Sequence, residues 1–215
     1  MTACVTVMRD DGLKGNGLKG RASIHFSRPY AGVVVAPDAA RDLARALLAE
    51  AMPARWNHVR GVADAAEDIG LLPGIDPDLL IAAALLHDVG YADDLAATGF
   101  HPLDGARYLR ATGVDERLCS LVAHHSGARI EAELRGMREV LLGEFIDEHS
   151  ATRDALWYCD MTTGPDGQRM TLDQRLAEIE GRYGADHVVT RFADLARPEL
   201  TAAVKRTELL LTSVF

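Results

Sequence analysis

The sequence predicts an all-α fold, and three observations lead there. Alanine and leucine, both strong helix formers, are abundant, while aromatics make up only 6% of the 215 residues. From Pro37 onward, apolar residues recur at helical spacing between glycine and proline stops. One run, Asp78 to Asp88, is apolar on every side apart from its ends, which marks a buried central helix.

The elements follow in order. Asp38 can cap a helix to about Glu50, with Leu43, Ala44, Leu47 and Leu48 on one face. Pro53 suits the first turn of a second helix, running to Ile69 and stopped by Gly70. Asp76 followed by Pro77 starts the apolar helix, which ends near Gly90. His101 and Pro102 open a helix to about Ala111, and Asp115 caps the next, which closes near His124, His125, Ser126 and Gly127. Residues 139–148 and 152–160 read as helices, and Gly164 to Gly167 as a turn. Thr171 with Gln174 forms a capping-box pattern for a helix to about Tyr183, and two more helices fill 187–196 and 198–211.

Residues 1–36 stand apart as an N-terminal extension to a domain over 37–215. A Gly/Lys-rich duplication spans Gly12 to Gly20, and Gly32 to Pro37 reads as a short strand or an extended lead-in. His25 there reads as a surface histidine.

The formal net charge of -9 argues against a general binder of nucleic-acid polymers, which needs a basic face. It leaves room for a local basic pocket holding a small phosphorylated substrate. Cys4, Cys119 and Cys159 show no C-x-x-C spacing, which fits a reducing cytoplasmic setting. Cys159 adjoins Asp160, but its expected role is that of a small buried thiol. No apolar run is long enough to span a membrane, and the first residues lack the apolar core of a signal peptide.

The chemistry-bearing residues form one ordered series. His87 and Asp88 end the most apolar helix of the chain, where an unpaired ionised group would cost several kcal/mol. Imidazole and carboxylate together are good ligands for a divalent cation. His58 lies within the preceding helix, His101 begins the following one, His124 and His125 close the next, and Asp160 ends a further apolar run. Five of the chain's eight histidines therefore fall in this series.

That order and its surroundings resemble the HD superfamily of metal-dependent phosphohydrolases over about residues 40–185. The superfamily pattern of His, His-Asp and a distant Asp is filled by His58, His87 with Asp88, and Asp160. Leu85 to Gly90 (LLHDVG) resembles its hallmark helix end. His101 to Ala106 (HPLDGA) and Ala123 to Gly127 (AHHSG) resemble extra motifs of its two-metal branches. These branches include the HD-GYP cyclic-dinucleotide phosphodiesterases and the bacterial symmetrical diadenosine tetraphosphate hydrolases.

The resemblance implies an HD-domain helical bundle with a central metal site. His58, His87, Asp88 and Asp160 would hold one divalent metal (Fe, Mn, Co or Mg). Asp88, the candidate catalytic residue, would bridge to a second metal held by His101 and by His125 or His124. His125 directly precedes the small hydroxyl residue Ser126, as in the family, which points to His125 and leaves His124 as a support or substrate contact. A water activated by the metals would attack phosphorus. Arg129 and Arg169, each following a glycine-containing turn, are candidate phosphate contacts, with Arg55 and Arg60 flanking His58 as further ones. Tyr91 stands where many relatives place lysine, as a substrate contact without charge. No Gly-Tyr-Pro occurs in the chain. Two alternatives stay open: a di-iron oxygenase built on the same ligand series, and a non-catalytic nucleotide-sensing module.

Overall fold

The computed structural model describes residues 32–213, and among them it is helical, with two isolated β-bridges and no strand. The helices are α1 (Pro37–Leu48), α2 (Pro53–Ile69), α3 (Pro77–Leu86), α4 (His101–Ala111), α5 (Glu116–Ala123), α6 (Ala128–Leu134), α7 (Arg138–Glu144), α8 (Ala151–Met161), α9 (Leu172–Tyr183) and α10 (Val188–Ser213). The N-terminal duplication, Cys4 and His25 lie outside the described residues.

The apolar run is the middle of the structure. Leu80 and every residue from Ala82 to Leu86 are buried, and α1, α2, α5 and α8 enclose α3. Each fully buried leucine there contributes roughly 1.5–3 kcal/mol relative to an exposed one. The Asp76 side chain accepts from Leu79 N at 3.2 Å and Pro77 occupies the first turn, so local chemistry sets where α3 begins. The helix ends at Leu86, earlier than the expected stop near Gly90. Asp88 leaves helical geometry (φ -106°, ψ 7°), and a single 3₁₀ turn over Val89–Tyr91 follows. His87 and Asp88 are thereby fixed at a helix end inside the core.

Other boundaries move for identifiable reasons. Ala36, not Asp38, is the N-cap of α1, with Pro37 in its first turn and no side-chain cap bond. The lead-in before it makes one parallel bridge: Val33 N donates to Gly113 O at 2.9 Å, and Asp115 N to Val33 O at 3.1 Å. The helix expected over 139–148 stops at Glu144, because Phe145 turns extended (φ -133°, ψ 140°). The two helices expected over 187–196 and 198–211 are one, α10, which carries Pro198 in its interior. Proline removes one hydrogen bond there, but α10 packs along α6, α8 and α9, and that burial outweighs the loss.

The capping box of α9 is present: Gln174 N donates to Thr171 Oγ1 at 3.2 Å, and Thr171 N to Gln174 Oε1 at 2.8 Å. Thr171→Ala is expected to lower the unfolding free energy by about 1 kcal/mol in urea titrations. An unchanged midpoint would mean the cap contributes nothing. No helix among the described residues is long and apolar enough to cross a membrane.

Candidate metal centre

Six donor residues from five segments converge at the buried end of α3. His58 comes from α2, His87 and Asp88 from the α3 end, His101 from the first residue of α4, His125 from the turn after α5, and Asp160 from α8. They form two donor groups: His58, His87 and Asp160, and Asp88, His101 and His125. Within each group the ligand atoms all lie within 4.8 Å of one another. The Asp88 carboxylate faces both groups. Its Oδ2 lies 3.3 Å from His87 Nε2 and 3.9 Å from His58 Nε2, and its Oδ1 lies 3.3 Å from His101 Nε2 and 3.9 Å from His125 Nε2.

The backbone orients three of the rings in one way. Nδ1–H donates to a carbonyl oxygen from His58 (Gly164, 3.1 Å), His87 (Ala84, 2.7 Å) and His125 (Val122, 2.6 Å). In the neutral ring this bond fixes the tautomer and aims the Nε2 lone pair at the centre, as metal-ligating histidines are held. His58 Nε2 meets Asp160 Oδ1 at 3.0 Å, and His101 Nε2 faces His125 Nε2 at 3.1 Å. His87 Nε2 is fully buried with no hydrogen-bond partner among the described residues. An orphaned nitrogen beside two carboxylates, in a set of imidazoles and acids, fits a divalent cation.

The electrostatics agree. Burial opposes ionisation of Asp88, but Arg55 and His87 outweigh it and hold the carboxyl well below its ordinary range. Burial is likewise overcome at Asp160 by its bond with His58 and by the charge of His87. Burial would lower His87, yet Asp88 and Asp160 raise it to about 9. Burial and the neighbouring His87 and His101 push His125 down to about 3. Two ionised carboxylates thus sit among buried imidazoles, and each is held ionised by the positive charge beside it.

Close packing sets these positions. A Cβ on Gly61 of α2 would stand 2.5 Å from Gly167 Cα, so only glycine lets the 164–167 turn lie against α2 and deliver Gly164 O to His58. Asp104 accepts from Thr98 N, Thr98 Oγ1 and Gly99 N, which pins the loop leading to His101. Ser126 takes a left-handed conformation (φ 47°, ψ 38°), costly for a non-glycine residue, and its Oγ donates to Asp160 Oδ2.

The centre opens into a small cavity of about 70 Å³. Tyr91 lines it, its ring stacked on His101 at 3.9 Å with the Arg55 guanidinium 4.1 Å from its centroid. Arg55 donates to Asp88 Oδ2 at 2.7 Å, so this flanking residue of His58 does reach the centre. Arg60 does not; it points outward to Asn57.

Other expected residues lie elsewhere. His124 falls outside both donor groups: its Nε2 donates to Phe145 O at 3.0 Å, and its own carbonyl accepts from Trp157 Nε1 at 2.9 Å. Arg129 does not line the cavity, being drawn to Glu199 on α10 at 3.1 Å. Arg169 pairs with Asp68 at 2.8 Å and borders a separate groove. Both follow glycine turns near the ligands in sequence, and those turns carry them away in space. Cys159 is buried and outside the donor groups, and burial raises its thiol pKa, so it stays a protonated packing group. The basic side chains that do border the cavity besides Arg55 are Arg175 and Arg182 of α9. Their spacing with Ile179 and Tyr183 puts all four on one helix face, a signal readable in the sequence once α9 is known to cover the centre.

The sequence pattern of the HD domain matches residues 55–179, more than half of the chain, and the chain belongs to the HD domain family. HD domains bind divalent metals, and the two donor groups could hold a metal ion. Over 77 residues the chain is 40% identical to a tRNA (cytidine(56)-2'-O)-methyltransferase of Thermoplasma volcanium. That stretch is 36% of this chain, and the chain spans only 22% of that relative's length. No solved structure matches the chain.

Proposed function

We propose that the protein is a metal-dependent phosphohydrolase that cleaves a phosphoester or phosphoanhydride of a small, nucleotide-like substrate. The observation that carries this reading is the pair of donor groups joined by Asp88 and opening onto an arginine-lined cavity. His58, His87, Asp88 and Asp160 would hold one cation, and Asp88, His101 and His125 a second. Divalent cations bound there supply Lewis acidity toward phosphoryl oxygens and make a water more acidic. The chain's own residues do the rest. Backbone carbonyls keep the Nδ1 protons of three histidines, Ser126 steadies Asp160, and Tyr91 holds the plane of His101. Arg55 keeps Asp88 ionised and brings positive charge to the cavity wall. Ile179, Val189 and Phe192 give the cavity an apolar border.

Elemental analysis of protein purified without chelator or affinity nickel is expected to find about two metals per chain. Chelation should abolish hydrolysis of small phosphate esters, and manganese, iron or cobalt should restore it. Metal-loaded protein that hydrolyses none of a panel of phosphomonoesters, nucleotides and dinucleoside polyphosphates would overturn the proposal. Tyr91, at the position where the resemblance places lysine in many relatives, leaves a second reading open, oxidation of a phosphonate or polyol. Bound iron with substrate-dependent oxygen consumption would establish it instead.

A further inference from the structure

We propose that α9 supplies the phosphate-binding arm of this site, with Arg175 and Arg182 gripping the phosphoryl oxygens of a terminal phosphate. The inference rests on the hydrolase reading only for the reaction, since phosphate binding can be measured without it. Arg175 has a side chain only 7% exposed, yet its Nε is buried with no hydrogen-bond partner among the described residues. A buried guanidinium N–H left unpaired is costly, so its retention at a cavity wall points to a ligand that completes it. Its Nη1 donates to Glu178 Oε2 at 2.5 Å. Arg182, one turn further on, donates through Nε and Nη2 to the same Glu178 at 2.8 and 2.6 Å. One carboxylate thus tethers two guanidiniums on this wall. The same cavity is lined by Asp88, His101, His125 and Asp160.

Arg153 serves as an internal comparison. Its Nε also lacks a hydrogen bond among the described residues, but that nitrogen lies 2.9 Å from Asp147 Oδ1, Asp154 and Glu199 add further acids, and the residue does not border this cavity. Its role is to tie elements together. Arg175 has a single acidic partner, shared, and faces the metal donors. The planar guanidinium fork suits phosphate oxygens better than a lysine would. The small volume, with Tyr183 and Phe192 at its border, suits a phosphoryl group at the end of a molecule rather than an internal diester of a polymer.

The test is titration of metal-loaded protein with inorganic phosphate, by calorimetry, alongside steady-state hydrolysis of a simple aryl phosphate. Arg175→Gln is expected to weaken phosphate binding by about 10–100-fold and to raise KM more than it lowers kcat, with metal content unchanged. Arg175→Lys should recover only part of the loss. Because Arg175 is buried and its loss can disturb folding, the more exposed Arg182→Gln is the second variant, with a smaller loss expected in the same direction. Wild-type phosphate affinity in both glutamine variants, at full metal content, would overturn the arm while leaving the hydrolase reading intact. Arginine-dependent phosphate binding in a metal-loaded protein that hydrolyses nothing would uphold the arm and sink the hydrolase reading.

Discussion

Replacing Asp88 is expected to remove bound metal and hydrolysis together, while most of the helix content remains. Its two carboxylate oxygens face different donor groups, so one substitution reaches both. Residues that merely support metal ligands are worth about 10–100-fold, and loss of a shared ligand should exceed that, reaching at least about 1,000-fold in kcat/KM. Alanine carries a complication: Arg55 would be left buried without its acid, and breaking such a pair costs about 3–5 kcal/mol. Asp88→Asn separates the two effects, because the amide oxygen still accepts from Arg55 while the charge that binds cations is gone. The expected outcome is an Asp88→Asn protein with near-native melting, little metal and no measurable activity, and an Asp88→Ala protein equally inactive but less stable. Full metal content and activity in the asparagine variant would exclude this centre.

The parts of the structure that were legible in the sequence share a physical cause. Asp76 with Pro77, Pro53 with Gly70, and Thr171 with Gln174 act within one turn of chain, so α2, α3 and α9 begin or end where local chemistry puts them. The donors were legible for a related reason: ionisable groups at the close of apolar runs need a partner, and His87, Asp88 and Asp160 are such groups. What stayed hidden depends on distant packing. Pro198 reads as a helix break, yet the neighbours of α10 carry the helix through it. The α6 helix, with charged Glu131 and Glu133 in seven residues, offers little apolar periodicity to find. Arg129 and Arg169 are close to ligands in number only, whereas Arg175 and Arg182 are remote in number and adjacent in space. Nearness along the chain is a poor guide when the intervening residue is a turn.

The second large effect should come from a single methyl group. Gly90 does not need its backbone freedom; it needs the absence of a side chain. A Cβ there would lie 2.0 Å from His101 O and 2.6 Å from Gly105 N, both backbone atoms at the start of α4 that cannot swing aside. Gly90→Ala therefore forces the 3₁₀ turn and α4 apart by roughly 1 Å or more to restore ordinary contact. Overpacking of this kind costs about 1–3 kcal/mol, which for a protein of this size corresponds to a melting temperature lower by roughly 3–10 °C. The displaced residue is His101, whose Nε2 lies 3.3 Å from Asp88 and 3.1 Å from His125. The second donor group should open while His58, His87 and Asp160 stay in place, so metal content falls from about two per chain to about one. Activity should drop by about 100-fold, since a misplacement of 1 Å at reacting groups has that effect. Gly143→Ala in α7 is the control: nothing lies within 4 Å of its added Cβ, and alanine is the better helix former, so it should be neutral or stabilise by up to about 1 kcal/mol. Native melting and two metals in Gly90→Ala would mean that α4 is not held to the centre by this contact, and that His101 reaches its metal by some other support.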